Sequence, residues 1–147
     1  MDAERLKVET LILDKYFPNK YIIEGNAFFI ELLSNKNNGY KIKIVVSESY
    51  PSVAPKVFVI EPVLADKDGI LLSKIGSSWQ FHTSAPDSEG NIQISCAGNW
   101  EHDLTIVIQA LKALVWINAY EATFDLNSNI NHLLGNKQDF FTHLNNP

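Results

Sequence analysis

Sulfur is scarce in this chain, with one cysteine (Cys96) and one methionine among 147 residues. A lone cysteine excludes an internal disulfide, fits a reducing, cytoplasmic setting, and cannot anchor a structural zinc site of the multi-cysteine kind. Basic charge is scarce as well. Twelve Lys and Arg face seventeen Asp and Glu, a formal net charge of −5, so nucleic acid is not an expected partner. No apolar run approaches the roughly 18 to 20 residues that cross a bilayer, and no membrane partner is expected. There is no phosphate-cradling glycine loop, no internal repeat and no low-complexity tract or domain linker. The acidic start, Met1 to Arg5, reads straight into a helix, so no signal peptide is expected. What remains is ordinary for a soluble globular protein, at 46% hydrophobic and 20% charged residues. One domain over residues 1–147, with a sizeable core, is the expectation.

Periodicity divides the chain into elements. Residues 2–17 predict an amphipathic helix: Leu6, Thr10, Leu13 and Phe17 follow helical spacing, Leu11 and Ile12 widen the stripe, and Asp2 serves as N-cap. Pro18-Asn19 ends it. Strands are predicted at 21–24 and 27–33, joined by a Gly25-Asn26 hairpin turn. The polar run 34–39 is a second turn. It leads into 40–46, where Tyr40, Ile42 and Ile44 alternate with lysines and give one buried and one wet face. A proline-punctuated crossover, Tyr50 to Pro55, precedes a β-branched strand at 56–60. The fold class is therefore α+β, an N-terminal helix followed by a four-stranded antiparallel meander. Residues 62–80 read as a long connection with one short element, and Thr83 to Gly90 as a turn-rich loop. A long helix is predicted from an Asp103 N-cap to about Thr123, with Leu104, Val107, Ile108, Leu111, Leu114 and Val115 on its apolar face. Shorter helices are expected around Leu133-Leu134 and Phe140-Phe141.

Chemistry centres on residues 90–111. Ile92 and Ile94 alternate into Cys96, a small loop Ala97-Gly98-Asn99 follows, and Trp100 precedes the long helix. Free cysteine is commonly a buried small hydrophobe. The flanks Ser95, Ala97, Gly98 and Asn99 are instead small or polar, which suits a reachable thiolate near a helix N-terminus. A nucleophile needs a base, and His82 and His102 are the nearest in sequence. His132 and His143 read as solvated surface histidines. No cysteine-protease signature surrounds Cys96. His82, His102, Asp87, Glu89 and Asp103 lack metal-ligand spacing, so neither metal nor cofactor is expected. Asp66/Asp68 and Asp87/Glu89 read as turn carboxylates.

Several stretches, taken in order, resemble the ubiquitin-conjugating enzyme family. Tyr50-Pro51-Ser52-Val53-Ala54-Pro55-Lys56-Val57 is similar to its Tyr-Pro-x-x-Pro-Pro-x-Val signature, with Ala54 at the first of the paired prolines. Phe81-His82-Thr83-Ser84 resembles a degraded His-Pro-Asn motif, with Ser84 in place of the asparagine. Gly90-Asn91-Ile92 resembles the Gly-x-Ile before the active-site cysteine. Residues 100–106 resemble the Trp-Ser-Pro-x-Leu-Thr-Ile that opens the next helix. Residues 114–121, with Trp116 and Tyr120-Glu121, are similar to divergent bacterial members found in anti-phage and ubiquitin-like operons. The resemblance covers roughly residues 1–125. It implies the family's fold, a long active-site loop included.

By the Gly-x-Ile-Cys pattern the catalytic position falls on Gln93, and Cys96 lies three residues later. The resemblance thus implies one of two things. In one, the nucleophile has moved to Cys96, which takes a ubiquitin-like protein from an activating enzyme and passes it to a protein target. Asn99, Asn91, Ser95 and Ser84 are then candidate oxyanion donors, and His82 or His102 orients the loop or takes a proton. In the other, Gln93 marks a catalytically dead variant that binds a ubiquitin-like protein or peptide around Gln93 and Trp100, and Cys96 is incidental.

Overall fold

The computed structural model describes residues 1–95, 99–126 and 129–134. Helix α1 (Ala3–Tyr16) is followed by strands β1 (Tyr21–Glu24), β2 (Ala27–Leu33), β3 (Gly39–Val45) and β4 (Lys56–Glu61). A one-turn helix α2 (Leu72–Ile75), strands β5 (Thr83–Ser84) and β6 (Ile92–Ile94), and helices α3 (Ile106–Leu126) and α4 (Ile130–Leu134) complete the order. The strands form one antiparallel six-stranded sheet, ordered β1-β2-β3-β4-β6-β5. The four expected strands are all present. The sheet is larger than the predicted meander because β6 pairs with β4 and the two-residue β5 pairs with β6.

The register explains which side chains are buried. Phe28, Ile44, Val57 and Ile94 stand opposite one another across four strands, and Ile30, Ile42, Val59 and Ile92 form the next row. All eight are buried in one core, and α3 packs over them with Ile106, Ala110, Ala113, Trp116 and Ile117. The opposite face carries the row Phe29, Lys43, Phe58, Gln93 and Ser84. Strand alternation with period two separates the rows. The β1–β2 turn is Gly25-Asn26, as expected, and Gly25 at its first position has φ +59, which glycine adopts without strain.

Both long helices differ from their predicted faces. In α1, Asp2 caps the helix by accepting Arg5 N–H at 2.7 Å, as expected. Leu13 is buried as expected and Ile12 and Phe17 pack against the core, but Glu9 is buried as well and Leu11 is 71% exposed. Helix α3 begins at Ile106 rather than after Asp103. Its first turn is satisfied by Thr105 Oγ1, which accepts Ile108 N–H at 3.3 Å, and by the Glu9 carboxylate, which accepts Ile106 N–H at 3.2 Å. The cap comes from α1, far away in sequence. The buried face is rotated in part: Val107 is buried as expected and Leu114 and Val115 pack half-buried on the core, but Leu104 and Ile108 are only half-buried and Leu111 is exposed.

The long connection 62–82 is tied to α3. Trp116 donates its indole N–H to the Phe81 carbonyl at 2.7 Å. Tyr120 Oη donates to the Ala65 carbonyl at 2.9 Å and lies 3.2 Å from Ala65 N–H. Glu121 accepts from Tyr40 Oη at 2.7 Å and Asn38 Nδ2 at 2.8 Å. Trp116, Tyr120 and Glu121 therefore act as tethers between α3 and distant chain. Phe140-Phe141 and His143 lie outside the described residues.

Candidate functional site

The segment 90–105 is held from three sides. Asp87 organises its start: one carboxylate oxygen accepts the N–H groups of Glu89 and Asn91, each at 2.9 Å, and the other accepts Asn91 Nδ2 at 3.2 Å. Burial would raise the Asp87 carboxyl, but these hydrogen bonds and the Lys43 charge outweigh it and hold it below the usual range. β6 then runs between β4 and β5, and Ser95 N–H donates to the His82 carbonyl at 2.7 Å. On the far side, Trp100 donates its indole N–H to the Pro51 carbonyl at 2.6 Å, and its ring lies 5.7 Å from that of Tyr50. Arg5 reaches across from α1, donating to the His102 carbonyl at 2.9 Å and to the Leu104 carbonyl.

Arg5 belongs to a buried cluster. Glu9 is 1% exposed and accepts from Tyr50 Oη as well as Ile106 N–H. Burial raises the Glu9 carboxyl despite these hydrogen bonds and the Arg5 charge. The Tyr50 hydroxyl is raised too, first by burial and then by its bond to Glu9. The cluster joins α1, the 50–55 crossover and the start of α3.

The residues singled out from sequence take different places in this frame. Cys96 lies outside the described residues. Asn99 is exposed, and no side-chain hydrogen bond ties it to the described residues. His102 is also exposed. His82 is buried at 4% exposure, with φ +53 and its Nε2 2.8 Å from Asn131 Oδ1 on α4. That environment makes it a structural link between β5 and α4. Ser84 and Gln93 are direct neighbours across β5 and β6, half-buried on the sheet face away from α3. Asn91 spends its side-chain donor on Asp87. Trp100 packs half-buried against the core. The fold therefore places Ser84 beside Gln93 and His82 beside the backbone of Ser95, while His82 Nε2 meets Asn131 and the Asn91 amide donates to Asp87.

Two residues of this region escaped the sequence reading. Gln109 and Lys112 are 4% and 2% exposed on α3. With Val57, Ile94, Ser95 and Trp100 they line a cavity of about 220 Å³ between β4, β6 and α3. Gln109 Oε1 is buried with no hydrogen-bond partner among the described residues. The signal was available: Gln109 and Lys112 are the polar interruptions in the otherwise apolar run Ile106–Ile117 and stand three residues apart, on one helix face. Among the described residues, no cluster of His, Cys, Asp and Glu is grouped to hold a metal, and no helix is long and apolar enough to cross a membrane. No protein-family model matches the chain, and no curated protein or solved structure matches it.

Proposed function

We propose that this protein is a thioester carrier for a ubiquitin-like protein, acting through Cys96, as the resemblance to ubiquitin-conjugating enzymes implies. In the first step the Cys96 thiolate attacks the modifier's C-terminal carbonyl, held as a thioester on an activating enzyme, and that enzyme's thiolate leaves. In the second, an amine of the target attacks the new thioester, loses a proton, and expels the Cys96 thiolate. The family likeness gives such a carrier a bacterial anti-phage operon as its setting.

The observation that carries the reading is the frame on either side of Cys96. Ser95 is fixed to His82 and Trp100 to Pro51, while Asn99 between them is exposed, and no side-chain hydrogen bond ties its amide to the described residues. Fixed flanks with an exposed amide three residues after the nucleophile suit a reaction that needs a positioned thiolate and a donor for the developing oxyanion. Of the donors considered, Asn99 is the one this geometry favours, since Asn91 is bound to Asp87. His82, buried against Asn131, serves as a positioning residue rather than a base.

A second reading, a non-catalytic binding module, is favoured by a different observation. Gln93 stands at the family's cysteine position, and His82, Asn91 and Ser84 are all engaged by the fold. Alkylation kinetics separate the two. A carrier's thiol reacts with iodoacetamide in the native protein, with a midpoint in pH below the ordinary ~8.5. A thiol modified only on unfolding removes the carrier reading. With an activating enzyme, ATP and a ubiquitin-like protein encoded beside this chain, the wild type should form a reductant-sensitive adduct. Cys96→Ser should convert it to a thiol-stable ester, and Cys96→Ala should abolish it.

A further inference from the structure

We infer that this protein associates with a second copy of itself by antiparallel, edge-to-edge pairing of the two β1 strands about a two-fold axis at Ile22. The inference does not depend on Cys96 chemistry. The sheet order leaves two outer strands, β1 and β5. β5 is two residues long, and its free side is already taken: Thr83 N–H donates to the Ser78 carbonyl at 3.0 Å and the Thr83 carbonyl accepts Ser78 N–H at 3.1 Å. β1 is the open edge. In an antiparallel ladder, alternate residues turn their backbone groups toward alternate sides of the strand. Glu31 N–H donates to the Lys20 carbonyl at 2.8 Å, so Lys20, Ile22 and Glu24 face β2 and Tyr21 and Ile23 face outward. No described residue takes up the outward N–H and C=O groups of Tyr21 and Ile23. Native sheets ordinarily blunt such an edge or pair it. Here Ile22 is 61% exposed, and neither proline nor bulge interrupts the strand.

β1 complements its own copy in one register. Setting Tyr21 opposite Ile23 of the second copy, and Ile23 opposite Tyr21 of the second copy, joins all the outward groups through N–H···O bonds. The same register sets Ile22 against Ile22 of the second copy, and Lys20 against Glu24 of the second copy at both ends. These are pairs of the non-hydrogen-bonded kind, in which side chains approach most closely. Lys20, Ile22 and Glu24 share one sheet face, so apolar meets apolar and each cation meets a carboxylate. Lys20 already lies 3.8 Å from Glu31, with both side chains exposed, and Glu24 makes no ion pair among the described residues. The pairing gives Glu24 its cation. Slipping the strands by two residues sets Ile22 against a charged residue instead, Glu24 one way and Lys20 the other. A four-residue edge buries little surface, so the dimer is a weak one, with a dissociation constant of roughly 10 μM to 1 mM. β2, β3 and β4 lie between β1 and β6, so the junction is remote from the 90–105 segment.

The test follows the full-length protein by analytical ultracentrifugation from about 10 μM to 1 mM, with amide NMR shifts read alongside. The average mass should rise with concentration from the 16.6 kDa monomer toward the dimer, and the Tyr21 and Ile23 amides should shift as it does. Glu24→Lys and Lys20→Glu both change exposed positions. Each alone sets like charges together at both ends and should weaken association about tenfold. Mixed with one another, the two variants set opposite charges together at both ends and should recover the wild-type affinity. A wild type that stays monomeric throughout overturns the proposal and leaves the edge to a strand from another protein. A mixture no tighter than its two components overturns it as well. So do concentration-dependent shifts that spare Tyr21 and Ile23.

Discussion

At the scale of single residues, the buried acid Glu9 is the most consequential side chain outside the core. It accepts the Tyr50 hydroxyl and the first N–H of α3, and Arg5 lies 3.9 Å from it. Removing the acceptor strands two buried donors, each costing roughly 1–3 kcal/mol. Glu9→Ala should therefore lower the unfolding free energy by about 2–6 kcal/mol, read from urea transitions at pH 7. Its ionisation works in the other direction. Burial holds the Glu9 carboxyl above its ordinary 4.5, so the folded chain keeps a proton that the unfolded chain has released. That contribution is complete below about 4.5 and is lost as pH rises through the raised folded value. Glu9→Gln titrates no proton there. The stability difference between Glu9→Gln and wild type should shift in favour of the variant as pH rises from about 4.5 to neutrality, and a pH-independent difference argues against the ionised group. Helical spacing marked Leu6, Thr10, Leu13 and Phe17 as the stripe of α1, widened by Leu11 and Ile12. It missed Glu9 because periodicity weighs hydrophobicity, and a buried carboxylate is stabilised by partners far away in sequence.

At the scale of elements, α3 holds the long connection between β4 and β5. Tyr120 contributes both as donor and as acceptor to Ala65, and Leu72 N–H donates to the Leu64 carbonyl at 3.0 Å next to it. Tyr120→Phe keeps the ring stacked on Trp116 and deletes the hydroxyl. Its cost should be about 1 kcal/mol globally. Hydrogen exchange should reveal the larger local effect, a loss of protection at Ala65 and Leu72 with the amides of β2 and β3 unaffected. Uniform loss across the sheet counts against a tether confined to the connection. The existence of α3 was legible in its apolar run, and so was the short element that became α2. The start of α3 was not, because Asp103 looked like a cap on local grounds while Thr105 and the distant Glu9 satisfy the first turn. The helix is buried on more than one side, so its hydrophobic period is weak and the predicted face came out rotated in part.

For the whole molecule, the sheet order determines how acid acts on the fold. Glu121 joins α3 to β3 and the turn before it, and Asp87 shapes the approach to β6. For both, burial acts to raise the carboxyl. Hydrogen bonds outweigh it, from Asn38 and Tyr40 for Glu121 and from Asn91 for Asp87, and leave each lowered. Carboxyls lowered by folding contribute stability that is present above their unfolded values of about 4.5 and 3.8 and is lost as pH falls through the folded ones. The urea midpoint of the wild type should thus drop on acidification below about pH 4, opposite in sign to the Glu9 effect. Glu121→Gln should shallow that drop, and an unchanged acid limb means that Glu121 is not one of its sources.

The sequence by itself determined the α+β class, the N-terminal helix with its Asp2 cap, the first four strands, the Gly25-Asn26 turn and the long helix. Each of these is written in a local signal: alternation with period two, a turn glycine, a capping side chain, a sustained apolar run. Tertiary structure alone decided that Thr83-Ser84 becomes a strand, that His82 and Asn91 serve the fold, and that Glu9 is buried. A two-residue strand has no period of its own, and it exists because β6 offers unpaired backbone groups for it to meet. A buried polar side chain likewise depends on hydrogen bonds and cavities made by chain dozens of residues away, and no window along the sequence contains them.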